Sequence, residues 1–300
     1  MLQREIPTEG PVDLARTLCP LRRGTGDPTM RIEPGAVWRA TRTPGGPATI
    51  HLTLSATTAA LHAEAWGNGA DWIMERAPGL AGLDDDTSAF HPRDDVIREL
   101  HRRMPGVHLT RTDRLIEALI PAVLEQKVAG VEARRVYLRL TRSLAEPAPG
   151  PAGLLLPPDP ARVASLPYDA FHPFGLERRR AETLRFACAK APAIEALAER
   201  PPAEARDYLG RFPGIGVWTT AEVARLALAD ADAVSVGDYH VPNMVAWALA
   251  GEPRGTDERM LELLEPYRGQ RGRVQLLLEA GGITAPRYGP RMRTRAIERL

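Results

Sequence analysis

The chain contains only two cysteines, Cys19 and Cys188, among its 300 residues. Two thiols make no disulfide framework, and such low cysteine usage is typical of a reducing cytoplasm. A four-cysteine zinc site or iron–sulfur cluster is excluded on the same count. The seven histidines show no paired ligand spacing. We therefore expect no catalytic metal bound by side chains.

Lysine is equally scarce, since Lys127 and Lys190 are the only two in the sequence. This limits the amine chemistry that the chain can perform. Long hydrophobic runs are also missing: no stretch approaches the roughly 20 uncharged apolar residues that span a bilayer. The first six residues lack the cationic segment and apolar core of a secretory signal. We expect a cytoplasmic protein with no membrane contact.

The balance of charge indicates no polyanionic partner, because the formal net charge is only +1. Any contact with nucleic acid must therefore depend on local patches. The segment from Arg268 to Arg299 has eight arginines against Glu279 and Glu298. A solvated basic tail and a phosphate-binding segment explain this pattern about equally well.

The pattern along the chain predicts an α+β protein in three parts. Residues 1–93 form a small antiparallel sheet domain with a helix near 71–77, since residues 30–67 contain three strand-like runs separated by turns at 44–46 and 57–59. Residues 94–285 form a helical body, and residues 286–300 form a basic tail. The run Asp84–Asp86 predicts a solvated turn, which is favoured over a metal site.

Helical periodicity dominates the second part, apart from the proline-rich connection 146–160. The segment 94–104 has an acidic start and a basic end, which suits the helix dipole. The predicted helices cover 94–104, 114–126, 131–144, 161–166, 176–191, 202–212, 217–229, 241–250 and 259–267.

The stretch RFPGIGVWTT (211–220) places two glycines and a proline where a helix begins. Glycine tolerates positive φ and lets another backbone approach, and the amides of a helix start bind anions. A helix-hairpin-helix element over about 203–229 therefore fits a DNA phosphate, and a tight turn with a glycine cap is the alternative. The carbonyls of Phe212 and Ile215 are candidate ligands for a monovalent cation, Na⁺ or K⁺. The candidate DNA-binding residues of the hairpin are Phe212, Pro213, Gly214, Ile215, Gly216 and Thr219.

A second motif, VSVGDYHVPN (234–243), contains Asp238 between an apolar segment and a helix. The local sequence alone favours Asp238 as an N-cap over a catalytic acid. A helix of about 13 residues spans about 20 Å, so a short returning loop can bring Asp238 back towards the hairpin. A carboxylate beside a phosphate anchor, Trp218 and Tyr239 suggests chemistry on a flipped nucleotide.

These two motifs together resemble the helix-hairpin-helix glycosylase superfamily. The closest resemblance is to the branch of the bacterial 3-methyladenine DNA glycosylase II (AlkA-type) enzymes. IEALIPAVLEQKV (116–128) and FGLERRRAETLRFACA (174–189) also match. The resemblance is clear from about 110 to 280 and weaker over 30–90, where this branch has a small antiparallel sheet domain.

The resemblance implies that Asp238 acts on the N-glycosidic bond of a damaged nucleotide in double-stranded DNA, with Trp218 and Tyr239 lining the base pocket. Glu222 stands where the branch has an aromatic pocket residue, and would either bind the base or point to solvent. Gln126 and Lys127 fall at the DNA-wedging turn. One site per chain requires no partner subunit, so we expect a monomer.

Trp218 occupies the position where strand-cleaving members carry a Schiff-base lysine, and no lysine follows Lys190. The resemblance therefore implies a monofunctional, hydrolytic enzyme of base excision repair that acts on alkylated purines, with Lys127 left as a remote alternative nucleophile. Two alternatives stay open: a glycosylase for another lesion, or a DNA-binding module without catalysis.

Overall fold

The computed structural model of the chain describes residues 1–55 and 59–286. It has one five-stranded antiparallel sheet, in the order β1-β5-β4-β3-β2, and is otherwise mainly helical. The α+β class predicted from the sequence is thereby confirmed. The strands are β1 Leu2–Pro7, β2 Met30–Glu33, β3 Ala36–Thr43, β4 Gly46–Leu54 and β5 Ala60–Trp66.

The sheet packs on helices α1 to α3, and α4 to α14 build the rest of the described chain. The helices are α1 Leu14–Leu18, α2 Ala70–Glu75, α3 Ala77–Ala81, α4 Asp95–Arg103, α5 Leu115–Glu125, α6 Gly130–Ser143, α7 Pro160–Ser165, α8 Arg178–Ala189, α9 Ala191–Glu195, α10 Pro202–Leu209, α11 Val217–Ala227, α12 Val241–Ala250, α13 Asp257–Leu264 and α14 Arg271–Ala280. None of the helices in this part of the chain is long and apolar enough to cross a membrane.

The helices bury two separate hydrophobic cores. One core is formed by α5 to α11 and ends at Ala233, and the other combines α4 with α12 to α14 and includes Val234 and Val241. The loop that contains Asp238 therefore lies where these two cores meet. Such a junction is a common place for a ligand site.

Helix α5 links the sheet to the helical body and ends just before Gln126. Glu117 on α5 accepts hydrogen bonds from Arg39, Thr41 and the backbone N–H of Arg42, at 2.7–2.8 Å. The carboxylate is buried, so its partners on β3 compensate its desolvation. At the other end α5 packs against α11, the helix that follows the hairpin.

Several elements were not predicted from the sequence, among them β1, α1, α3 and α14. Strand β1 pairs with β5 at the edge of the sheet, with Leu2 opposite Ala65, although its sequence is mainly polar. Helix α14 follows the last predicted helix and is almost entirely buried. The predicted turn at 57–59 falls mostly outside the described residues, as does nearly all of the basic tail, from Arg287 onward.

The prediction of a solvated turn at Asp84–Asp86 is wrong for Asp85. Its side chain is only 5% exposed and pairs with Arg273 of α14, with two nitrogen–oxygen distances of 2.6 Å. Burial alone would raise the pKa of Asp85, but the hydrogen bonds and charge of Arg273, together with His108 at 3.6 Å, lower it to about 2. This ion pair joins the segment before α4 to α14.

The arginines at the start of the basic segment each form an ion pair. Arg268 pairs with Glu265, and Arg271 pairs with Asp232. Arg271 and Arg273 are mostly buried, whereas Arg268 is 68% exposed and its pair with Glu265 lies at the surface. The arginines from 287 onward lie outside the described residues.

Candidate active site

The hairpin connects α10 to α11 through residues 210–216 and is anchored to the body of the protein. Gly214 has φ +80°, and a Cβ built there would lie 2.4 Å from Oγ1 of Thr183 on α8. Ile215 is buried, and its N–H donates to the carbonyl of Phe212 at 3.1 Å. The glycine at 214 is therefore required by both its backbone angle and its close approach to α8.

The start of α11 leaves its first amides directed outward. Gly216 precedes the helix with an extended backbone, φ −97° and ψ 179°, and no side chain of the described residues caps this end. The first turn contains no acidic residue, and Val217 is 60% exposed. An uncapped helix start with a positive dipole end suits an anion.

The side chain of Gln126 is hydrogen-bonded to the hairpin and to the first turn of α11. Its Nε2 donates to the carbonyl of Gly214 at 2.9 Å and to Oγ1 of Thr219 at 3.0 Å. Thr219 is only 2% exposed, so its side chain is used inside the hairpin, and its role as a DNA contact stays a prediction. Gln126 thus ties the end of α5 to the hairpin, and the following residue, Lys127, is exposed with φ +56°.

Asp238 lies beside the first turn of α11. The indole Nε1 of Trp218 donates to Oδ2 of Asp238 at 3.0 Å. The other oxygen, Oδ1, accepts from the backbone N–H groups of His240 at 2.6 Å and Val241 at 3.0 Å. Oδ1 therefore holds the two amides before α12, whose N-cap residue is His240 and not Asp238 as the local sequence favoured, while Oδ2 faces the hairpin helix. Three N–H donors complement the negative charge of a carboxylate.

The backbone before Asp238 is held by a second carboxylate. Gly237 has φ +87°, and its N–H donates to Oδ1 of Asp257 at 2.9 Å. The N–H of Asp238 donates to the carbonyl of Ser235 at 3.1 Å. These contacts fix the turn that presents the carboxylate towards Trp218.

Trp218 and Tyr239 do not form a closed aromatic pocket in this structure. Trp218 is partly buried against the core under the hairpin. Tyr239 is 72% exposed, and its ring lies edge-on to His240, with centroids 4.9 Å apart. The structure thus leaves the Tyr239 ring on the surface beside Asp238, and the pocket role of the two rings stays a prediction.

Glu222 lies one turn along α11 from Trp218 and is turned into the protein, so the expectation that it might point to solvent is wrong. Its Oε1 accepts from Arg225 at 3.0 Å and also from the hydroxyl of Ser235. Burial raises the pKa of Glu222. The charge of Arg225 lowers this pKa, and the carboxylate of Glu279 raises it again, so the pKa stays above its usual value.

This polar cluster extends to α14 and supports the loop before Asp238. Arg225 pairs with Glu279 at 2.6 Å, and the side-chain oxygen of Gln275 accepts from the backbone N–H of Ser235 at 3.1 Å. Sequence reasoning missed Arg225, Ser235 and Gln275. No local motif marks them, and α14 itself was not predicted.

The described residues contain no group of three or more His, Cys, Asp or Glu side chains that could hold a metal ion. The monovalent cation expected at the carbonyls of Phe212 and Ile215 stays a prediction. The carbonyl of Phe212 already accepts one hydrogen bond, from Ile215, which leaves it a single lone pair for a cation.

Comparison with protein-family models gave no match, and comparison with curated protein sequences gave none either. Several solved structures do match over most of the chain. A 3-methyladenine DNA glycosylase from Archaeoglobus fulgidus has a TM-score of 0.76 at 19% identity, over 93% of this chain and 97% of that one. MBOgg1, in complex with a low-affinity DNA ligand, has a TM-score of 0.72 at 16% identity, over 93% and 95%.

A third similar structure is the 8-oxoguanine glycosylase/lyase of Clostridium acetobutylicum, in complex with double-stranded DNA. Its TM-score is 0.66 at 12% identity, over 90% of this chain and 91% of that one. At such identities the likeness concerns the fold. The chain has the fold of the helix-hairpin-helix glycosylases, as the sequence resemblance implied.

Proposed function

We propose that this chain is a DNA glycosylase that hydrolyses the N-glycosidic bond of alkylated purines in double-stranded DNA, as a step of base excision repair. The observation that carries the proposal is the hydrogen bond from Trp218 to Asp238. It joins the uncapped start of α11, which suits a phosphate, to a carboxylate that suits the sugar of a nearby nucleotide.

Binding of DNA would begin at the hairpin. The outward amides at Gly216 and the first residues of α11 are suited to a backbone phosphate, a contact that positions the duplex without reading its sequence. The exposed Lys127, at the turn after α5, lies next to Gln126, which is bonded to the same hairpin. Its aliphatic stem can occupy the space of an extruded base while its ammonium group reaches phosphate.

In the chemical step, the bond between C1′ of the sugar and the base nitrogen breaks, and the electron pair leaves with the base. A purine alkylated on a ring nitrogen is already cationic, so it leaves as a neutral base without a general acid. The sugar becomes oxocarbenium-like, and the Oδ2 edge of Asp238 stabilises this positive charge. Water then adds to C1′ and gives up a proton, with Asp238 positioned to orient it.

The aromatic side chains suit the same substrate. A cationic base gains about 0.5–2 kcal/mol from each well-placed ring. Trp218 is held next to Asp238, and Tyr239 is exposed on the adjoining turn, free to close over a base.

Hydrolysis without strand cleavage follows from the chemistry available near Asp238. A lyase needs an amine that attacks C1′, and the sequence contains no lysine after Lys190. The indole of Trp218 cannot replace it. The C. acetobutylicum protein of similar fold is described as a glycosylase/lyase, and the proposal does not carry its lyase activity over to this chain.

A second candidate is a hydrolytic glycosylase for another lesion. It is favoured by Glu222, a mostly buried carboxylate one helical turn from Trp218. A carboxylate at this place suits a base that presents N–H donors. In either case one site per chain needs no second subunit, and we propose a monomer that acts in the cytoplasm on nucleoid DNA.

The experiment is a base-release assay on methylated duplex DNA, run beside duplexes with uracil or 8-oxoguanine and analysed on gels before and after alkali. We expect release of 3-methyladenine or 7-methylguanine, with strand breaks only after alkali. Release from another duplex alone would move the proposal to the second candidate. Strand breaks before alkali would contradict the hydrolytic mechanism.

A further inference from the structure

An arginine–tyrosine–arginine stack stands next to the hairpin. Tyr208 lies on the last turn of α10, and its ring is 37% exposed. The guanidinium carbon of Arg211 is 4.2 Å from the ring centroid, and that of Arg200 is 4.3 Å from it. Two cationic groups are thus gathered around one ring, at the residue where the hairpin turn begins.

The charges in this stack are weakly compensated. Arg200 approaches Glu204 at 3.8 Å, but both side chains are well exposed, so this pair adds little. Arg211 forms no ion pair with any residue in the described part of the chain. By contrast, Arg206 on the same helix pairs with buried Asp230 at 3.0 Å. Two like charges held around one ring repel each other, and an anion bound at the edge of the stack relieves this repulsion.

The stack also fixes the two guanidinium groups. Stacking on an aromatic face holds an arginine while leaving its N–H groups free to donate at the edge of the plane. Arg211 opens the turn that Gly216 closes, so the stack and the uncapped start of α11 belong to one short surface segment. A DNA strand whose phosphate sits on the helix start presents its next phosphates to the same surface.

We propose that Arg200, Tyr208 and Arg211 form a second phosphate-binding site, which holds the DNA strand next to the phosphate at the hairpin amides. This site rests on the proposed function, because its ligand is the backbone of the DNA that the hairpin binds. It adds two charged contacts to the uncharged ones that the helix start provides.

The test is the salt dependence of binding to a duplex that carries an abasic-site analogue, measured by fluorescence anisotropy. Each phosphate contact contributes about 0.9 to the slope of log Kd against log salt. For Arg211→Ala we therefore expect the ratio of Kd at 200 mM salt to Kd at 50 mM salt to fall about 3.5-fold. Arg211→Lys should restore most of the slope, and the double variant Arg200→Ala/Arg211→Ala should lose more of it.

Arg102→Ala is the matched control. Arg102 is an exposed arginine on α4 that pairs with Glu99, and α4 packs against α14 rather than against the hairpin. The site is rejected when Arg211→Ala has the same slope as Arg102→Ala while the wild type still releases base. A wild type without any salt-dependent DNA binding would instead reject the proposed function, and this site with it.

Discussion

Replacing Gly216 or Gly214 with alanine separates the role of the hairpin in binding from its role in folding. At Gly216 the backbone is extended, and an added Cβ meets no atom within 4 Å. Alanine is a poorer helix N-cap than glycine by about 0.5–1 kcal/mol, and the loss of unfolded-state freedom offsets about 0.4–1 kcal/mol. The free energy of unfolding of Gly216→Ala should therefore stay within about 1 kcal/mol of the wild type.

Gly214→Ala should behave differently, because two costs add. Alanine at φ +80° is disfavoured by about 1–2 kcal/mol. Its methyl would also lie 2.4 Å from Oγ1 and 2.8 Å from Cγ2 of Thr183, and overpacking of this kind costs about 1–3 kcal/mol. We expect Gly214→Ala to lose about 2–5 kcal/mol of stability, measured by urea unfolding.

Of the two variants, Gly216→Ala is the one that tests DNA binding without a large loss of stability. In Gly216→Ala the methyl stands where a phosphate would approach the first amides of α11. Loss of one charge-assisted hydrogen bond, about 1.5–3 kcal/mol, predicts binding about 10- to 150-fold weaker. The measurement is anisotropy with an abasic-site duplex. Wild-type affinity in a normally folded Gly216→Ala protein would show that the hairpin is only a turn.

Three further substitutions test the site, the hairpin anchor and the ion pair between Asp85 and Arg273. Trp218→Phe removes the N–H donor to Asp238, and we expect single-turnover base release to slow about 10- to 150-fold with DNA affinity unchanged; equal rates would show that the hydrogen bond is not used. Gln126→Ala removes two hydrogen bonds to the hairpin and should lower stability by about 1–2 kcal/mol in urea unfolding. The pKa of Asp85, about 2 against an ordinary 3.8, means that its ion pair stabilises the fold above pH 4 and is lost as the pH falls through 2. The wild type should lose about 1 kcal/mol from this group between pH 6 and pH 3, and about 2 kcal/mol in all, whereas Asp85→Asn loses neither; a stability difference between the two proteins that does not change with pH would contradict the ion pair.

The parts of the fold that the sequence predicted are those with strong local signals. Helix α5 has a continuous apolar face, and the hairpin has a glycine at position 214, where φ is positive. The return of Asp238 to the hairpin was inferred from the length of α11 alone. The residue-level roles at this site stay predictions.

What the sequence missed depends on distant partners. Helix α14 buries Arg273 and Gln275 as well as its leucines, so its polar residues conceal the usual periodicity. The inward direction of Glu222 depends on Arg225 and on Ser235, which α14 holds. The burial of Asp85 also depends on a distant partner, Arg273, which lies 188 residues further along the chain. No window of local sequence contains these pairs.

The central claim is that Asp238 carries the chemistry while the hairpin carries the binding. The amide oxygen of Asn can still accept from the backbone N–H groups of His240 and Val241, so Asp238→Asn keeps the turn before α12 while it removes the charge and the acceptor for Trp218 Nε1. Single-turnover base release from methylated duplex DNA should fall to the background rate in this variant, while its affinity for an abasic-site duplex stays close to that of the wild type. Base release at the wild-type rate by a folded Asp238→Asn protein would contradict the account.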